Sequence, residues 1–277
     1  MISNKAVRGV AASALIALSN GAVAQTPAPT TPPTPEHTFT ANIGFFSEYI
    51  FRGVSQTAGE PAVQGGFDYA HQSGFYAGTW ATNISWLQDF GAYRKSSMEW
   101  DFYGGYKANF GATDFFYDVG ALYYHYPGRR VTGAFSADTL ELYAAVGWKW
   151  INVKFSYNVK DYFGARPNAN AAKTDGTYYV DLTANYPVGE TGVTLVAHVG
   201  HLDVENDGSD GDLATFGKVG YTDWKLGVSY TVPDGPVKGL EVGAYYTGNN
   251  AKSRFYTDLN GYDTAKDRGV VYVKKTF

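Results

Sequence analysis

The sequence predicts an all-β fold, a transmembrane antiparallel β-barrel of about twelve strands, and three observations carry that expectation. The chain ends Val271-Tyr272-Val273-Lys274-Lys275-Thr276-Phe277, an alternating run that stops on an aromatic, as the closing strand of an outer-membrane barrel does. From Thr38 onward, apolar residues recur two by two, the period of a strand with unlike faces. The connections between these segments alternate in length, short then long, which is the turn-and-loop asymmetry of such barrels.

Taken in order, the chain opens on a leader. Lys5 and Arg8 precede the apolar stretch Val10 to Leu18, and Ala22-Val23-Ala24 supplies small residues around a cleavage point. Residues 1–24 therefore read as a secretory signal peptide removed before Gln25. Residues 25–37 hold Pro27, Pro29, Pro32, Pro33 and Pro35, five of the chain's 11 prolines. That composition suits an extended periplasmic arm and cannot build a core. The barrel is expected over 38–277. There are no cysteines, which excludes disulfides and a lipid-anchored N-terminal Cys. Removing the leader takes away two of the 22 basic residues and none of the 26 acidic ones, leaving a formal charge of -6. That balance argues against nucleic acid as a partner. A mean hydropathy of -0.26 is uninformative in a barrel, where outward apolar residues alternate with inward polar ones.

In the first segment Phe39, Ala41, Ile43, Phe45, Tyr49 and Phe51 share one face, and Thr40, Asn42, Gly44, Glu48 and Arg52 the other. The segment near 62–71 sets Val63, Phe67 and Tyr69 against Gln64, Gly66 and Asp68. The third, near 74–85, is read with Tyr76, Trp80 and Ile84 outward. The fourth is the clearest, Trp100 to Phe110 alternating with Glu99, Asp101 and Lys107. Asp118 is inward on the fifth, Glu141 on the sixth, Lys154, Ser156 and Lys160 on the seventh, Asp181 on the eighth and His198 on the ninth. Lys225 on the tenth, Glu241 on the eleventh and Lys274 on the twelfth complete the inner face. Short turns are expected at 71–74, 111–114, 149–150, 189–192 and 233–239. Longer loops are expected at 52–61, 86–97, 127–138, 161–176, 202–220 and 247–267. Phe110, Phe115, Trp148 and Trp150 flank short turns, as an interfacial girdle would. A secreted β-sandwich accounts for the alternation but not for loop asymmetry, girdle and terminal Phe together.

Two stretches are distinctive: Ser47-Glu48-Tyr49-Ile50-Phe51-Arg52-Gly53-Val54-Ser55-Gln56-Thr57, and Pro61 to Tyr69 followed by Gly74-Phe75-Tyr76-Ala77-Gly78-Thr79-Trp80. In these the chain resembles the TorF family of proteobacterial proteins, which is counted among porins and was long of unknown function. The resemblance runs over the whole mature chain and is strongest over 43–84. It implies an outer-membrane location and a pore. It brings no substrate and no catalytic residues.

The residues themselves point to the lumen. Glu48, Arg52, Glu99, Asp101, Asp118, Glu141, Lys154, Lys160, Asp181 and Lys225 are the candidate selectivity residues, with an acid-rich arc on segments four to six and bases on much of the rest. Opposed charges across a narrow lumen would sort small polar or charged solutes in passive diffusion. The alternative is pairing between neighbouring strands, Lys154 or Lys160 with Asp181, that only satisfies the interior. Glu48 and Arg52, two steps apart along the inward face, are expected either to constrict the mouth or to hold the first loop. Val271, Val273 and Phe277 form the assembly signal read by the barrel-assembly machinery, and outer-membrane lipid is the other expected partner. Lys275 departs from that signal, since it falls on the apolar face, where a rim position lets it snorkel. The acidic loop 202–220 does not match a calcium-binding spacing. His125, His198 and His201 are too scattered for a metal, and no cofactor is expected. A structural or adhesive barrel with a plugged lumen is the second reading. A hydrolase using Ser156 and His198 is the third, without a nucleophile-elbow motif to support it.

Overall fold

The computed structural model describes residues 35–165, 173–205 and 219–277. The leader, nearly all of the Pro-rich arm and the acidic residues 206–212 lie outside them. Twelve strands form one closed antiparallel barrel: β1 (His37–Phe46), β2 (Ala62–His71), β3 (Phe75–Asn83), β4 (Met98–Asn109), β5 (Phe115–His125), β6 (Thr139–Trp148), β7 (Ile151–Asn158), β8 (Tyr178–Pro187), β9 (Val193–Asp203), β10 (Tyr221–Thr231), β11 (Leu240–Asn249) and β12 (Arg268–Thr276). Each strand pairs with its sequence neighbours. The ring closes where β1 meets β12, with Asn42 opposite Thr276 and Phe46 opposite Tyr272. The terminal residue takes part, because the Phe277 N–H donates to the Ala41 carbonyl at 2.8 Å. Closure leaves no unpaired edge, which is what hydrocarbon demands of a sheet. No helix among the described residues is long and apolar enough to cross a membrane, a statement that does not bear on strands.

Strand phase follows from alternation. Phe39, Phe67, Val119, Leu142, Leu226 and Val271 stand exposed on the outer wall while their chain neighbours turn inward. An outer surface this apolar suits lipid and not water. Short turns and long loops alternate around the barrel as expected, both chain ends of the barrel lying at the short-turn end. Lys275 turns to the rim there and donates to the Lys238 carbonyl.

Three expectations are corrected. The first strand stops at Phe46 and does not run on to Arg52. Tyr49 is buried in the interior and Phe51 packs against the inner core, because the chain bends inward after Ser47. The third segment has its faces reversed: Trp80, 2% exposed, lies opposite Asp101, and Phe75 faces out. Aromatic character misled there, since the inner wall takes the large Tyr76 and Trp80 and leaves the small Ala77, Thr79 and Ala81 outside. The seventh strand ends at Asn158, so Lys160 is not in the lumen. It is exposed and sits over the outward Tyr123 ring at 5.2 Å.

Inward tyrosines need room, and glycines on neighbouring strands supply it. The Tyr103 ring lies across Gly78 and the Tyr179 ring across Gly200, each so close that a Cβ there would collide with it.

Candidate functional site

The first long loop, 47–61, does not stand above the barrel. It folds into the lumen at the long-loop end as a small hairpin, Ile50–Phe51 paired with Val54–Ser55. Arg52 and Gly53 form its tip with φ of 48° and 74°. Two successive positive φ values match the tight turn whose twist suits a hairpin; Gly53 adopts its value freely, and Arg52 is held in its own by what it reaches.

Arg52 crosses the lumen. Its Nη2 donates to both carboxylate oxygens of Glu141 on β6, at 2.8 and 2.9 Å. Its guanidinium lies 4.3 Å from the Tyr179 ring centre on β8 and 4.7 Å from that of Phe51. Burial, the largest single effect, would lower its pKa, but Glu141 together with Tyr162, Tyr124 and Tyr179 outweighs it and the net shift is upward. The rest of the hairpin is tied to other strands. Asn249 on β11 donates to the Gly53 carbonyl at 2.7 Å, and the Tyr49 hydroxyl donates to Glu99 on β4 at 2.8 Å. Burial, then Glu99 nearby, push the Tyr49 and Tyr126 hydroxyls well up, so both remain donors and Glu99 their shared acceptor. Tyr126 completes that pair at 2.7 Å. An apolar cluster including Tyr49, Leu87, Tyr93 and Tyr126, with Phe163 against it, joins the first four long loops over the hairpin.

Glu48 and Arg52 therefore do not pair. Glu48 accepts from the Gly59 N–H at 3.0 Å and from Arg268 on β12 at 3.1 Å, anchoring the hairpin's base while Arg52 anchors its tip. Asp101 is fully buried beside Glu99 and Glu141, and neither of its carboxylate oxygens has a hydrogen-bond partner among the described residues. Further along the lumen, Asp118 accepts from Tyr76 at 2.7 Å, with Tyr76 also bonded to Tyr143, and lies opposite Lys107. Lys154 stacks on Tyr143 at 4.3 Å and lies opposite Asp181, which accepts from Thr183 at 3.1 Å. Lys225 sits 5.2 Å from the Tyr245 ring centre. Lys274 meets its cross-strand partner Glu241 at 3.2 Å.

The acid-rich arc on β4 to β6 is present. The opposite wall is mixed, because Asp181, Asp223 and Glu241 interleave with its lysines. Asp223 and Asp68 were not singled out from sequence as site residues. Asp223, two residues before Lys225, shares its inward phase, and that spacing could have found it. It accepts from Tyr179 at 2.8 Å and contacts His198 Nε2 at 3.1 Å. Asp68 accepts from Tyr103.

Ser156 and His198 do not meet as nucleophile and base. The Nδ1 of His198 is 2.9 Å from Thr183 Oγ1, and its Nε2 faces Tyr179 and Asp223. At the short-turn rim, Glu36, His37 and His71 place one ligand atom each within 4.8 Å of one another. It is the one such group among the described residues, and His71 there already contacts Glu36 at 3.5 Å.

The family model described as "Bacterial protein of unknown function (Gcw_chp)" matches residues 30–277. No curated protein matches the chain. Among solved structures, a KdgM porin aligns at 8% identity and a TM-score of 0.48, covering 86% of this chain and 99% of its own. A NanC porin aligns at 13% identity and a TM-score of 0.49, over 87% and 99%. The outer membrane protein OprD of Pseudomonas aeruginosa aligns at 15% identity and a TM-score of 0.38, over 86% of this chain and 64% of its own.

Proposed function

The chain belongs to the Gcw_chp family of bacterial proteins of unknown function, and from that premise we propose that it is a porin-like channel of the outer membrane, passing small polar or charged solutes by passive diffusion. The observation that carries this reading is the closed barrel itself, apolar outside and charged within. A barrel that only had to sit in lipid could fill its interior with apolar side chains. This one places Asp68, Asp118, Lys154, Asp181, Lys225 and Glu241 inside, a charged wall that its own partners in part satisfy and that water or a polar solute can share. The resemblance of residues 43–84 to TorF proteins supports the same reading. The short turns then face the periplasm and the long loops the exterior. The last strand with Val271, Val273 and Phe277 is what the barrel-assembly machinery reads.

In this reading Arg52 and the hairpin narrow the outer mouth, and Lys154, Lys225 and the acids of β4 to β6 set the field inside. Planar-bilayer recording of the refolded mature chain tests it: discrete conductance steps are expected, and conductance no greater than leak overturns the channel. The hairpin also favours a second reading, a plugged barrel whose outer loops bind a partner. Deleting 159–177 or 250–267 separates the two, because lost binding at unchanged conductance supports adhesion.

A further inference from the structure

Arg52 occupies a site that is better suited to a cation than its own side chain can exploit. Glu99, Asp101 and Glu141 converge at the outer end of the lumen, all buried. One hairpin guanidinium offsets them, with Lys154 within electrostatic reach of Glu141. The fit of Arg52 is incomplete: a single nitrogen serves both oxygens of Glu141, and its Nη1 is buried without an acceptor among the described residues. Asp101 meanwhile is buried with no donor among the described residues. The Tyr179 ring lines the cage from the wall, and Phe51 arrives with the hairpin.

We propose that this carboxylate and aromatic cage is a binding site for small guanidinium-bearing solutes, and that Arg52 is a stand-in ligand that such a solute displaces. The proposal rests on the channel reading for its role in transport. A planar guanidinium can give one N–H to each oxygen of Glu141, which a point-charge ammonium cannot do as well. It keeps the ring contact with Tyr179. A second cationic group on the same solute could reach Asp101, whose nearest charged neighbours are Glu99 and Glu141. Arg52 sits on a hairpin tip in a left-handed conformation, so release of its side chain frees the site and relaxes the tip at once.

The test uses agmatine, with cadaverine as a diamine of equal charge, titrated by calorimetry into the full refolded mature chain and into Arg52→Ala. A site whose own ligand must first leave has its apparent affinity divided by the fraction open. Arg52→Ala is therefore expected to bind agmatine at least tenfold more tightly than the parent, and cadaverine at least tenfold more weakly than agmatine. Adding Glu141→Gln should abolish the gain. Arg52→Lys, which keeps a charge in place, should fall between parent and Arg52→Ala, and it carries the comparison if Arg52→Ala fails to refold. Equal agmatine affinity in parent and variants, or equal affinity for the two amines, overturns the cage. Bilayer recordings on the same samples keep the two readings apart. Agmatine binding without conductance in any variant removes the channel and leaves the site; conductance without an agmatine preference does the reverse.

Discussion

Placing an arginine at Leu226 tests whether the outer wall faces hydrocarbon. Leu226 is the middle residue of β10, which runs from Tyr221 to Thr231, and it is 60% exposed. Five residues on either side, at ~3.3 Å each along a strand tilted by ~40°, give about 13 Å of height above and below it. That is half of a lipid belt roughly 25 Å tall, so Leu226 belongs at the midplane, where Arg costs about 2–4 kcal/mol. Tyr230 faces the same way four residues on, about 10 Å nearer the short-turn rim, where the same substitution costs ~0–1 kcal/mol. Reversible urea unfolding of the barrel in lipid vesicles should therefore show Leu226→Arg less stable than Tyr230→Arg by about 2–3 kcal/mol. Equal costs at the two depths, or less than about 1 kcal/mol at Leu226, would refute the assignment of this face to the membrane interior.

Other outcomes follow from the same geometry. The chain has no cysteine, so single Cys substitutions report cleanly: Ala77→Cys should react with a lipid-soluble maleimide and Trp80→Cys should not, and the opposite pattern would restore the β3 faces expected from the sequence, with Trp80 outward. Deleting Phe277 removes two main-chain bonds to Ala41 as well as the terminal aromatic, and should reduce heat-modifiable barrel in the outer membrane far more than shortening an outer loop does; unchanged yield counts against this role. Gly200→Ala pushes Tyr179 off its seat and, as an overpacking change, should cost about 1–3 kcal/mol in the same urea assay, with no change meaning that the ring does not lie there. Mass spectrometry of the exported chain should find Gln25 as its first residue, and an intact leader would contradict the cleavage site.

The barrel was legible because a strand in lipid exposes its logic in one dimension. Leu226 and Val228 outside, Lys225 and Ser229 inside, can be read from spacing alone, since side chains alternate whatever the partner strand is. The same rule found Glu99, Asp101, Asp118 and Glu141. It failed at Tyr76 and Trp80, because the inner wall of a small barrel accepts large aromatics as readily as the outer wall does. It failed at Lys160, because phase does not survive the end of a strand.

Pairing is a different matter. Glu48 and Arg52 are four residues apart, yet one binds Arg268 and the other Glu141, at chain separations of 220 and 89 residues. Local sequence sets which way a strand residue points, and that was enough to yield twelve strands, their turns and the charge of the lumen wall. Whether a loop stands out in solvent or folds into the lumen depends on donors and acceptors waiting on remote strands: Asn249 for Gly53, Glu99 for Tyr49, Glu141 for Arg52. Those partners come together only when the ring closes, and so the placement of the first loop, with the occupied cage at its tip, was decided by tertiary structure alone.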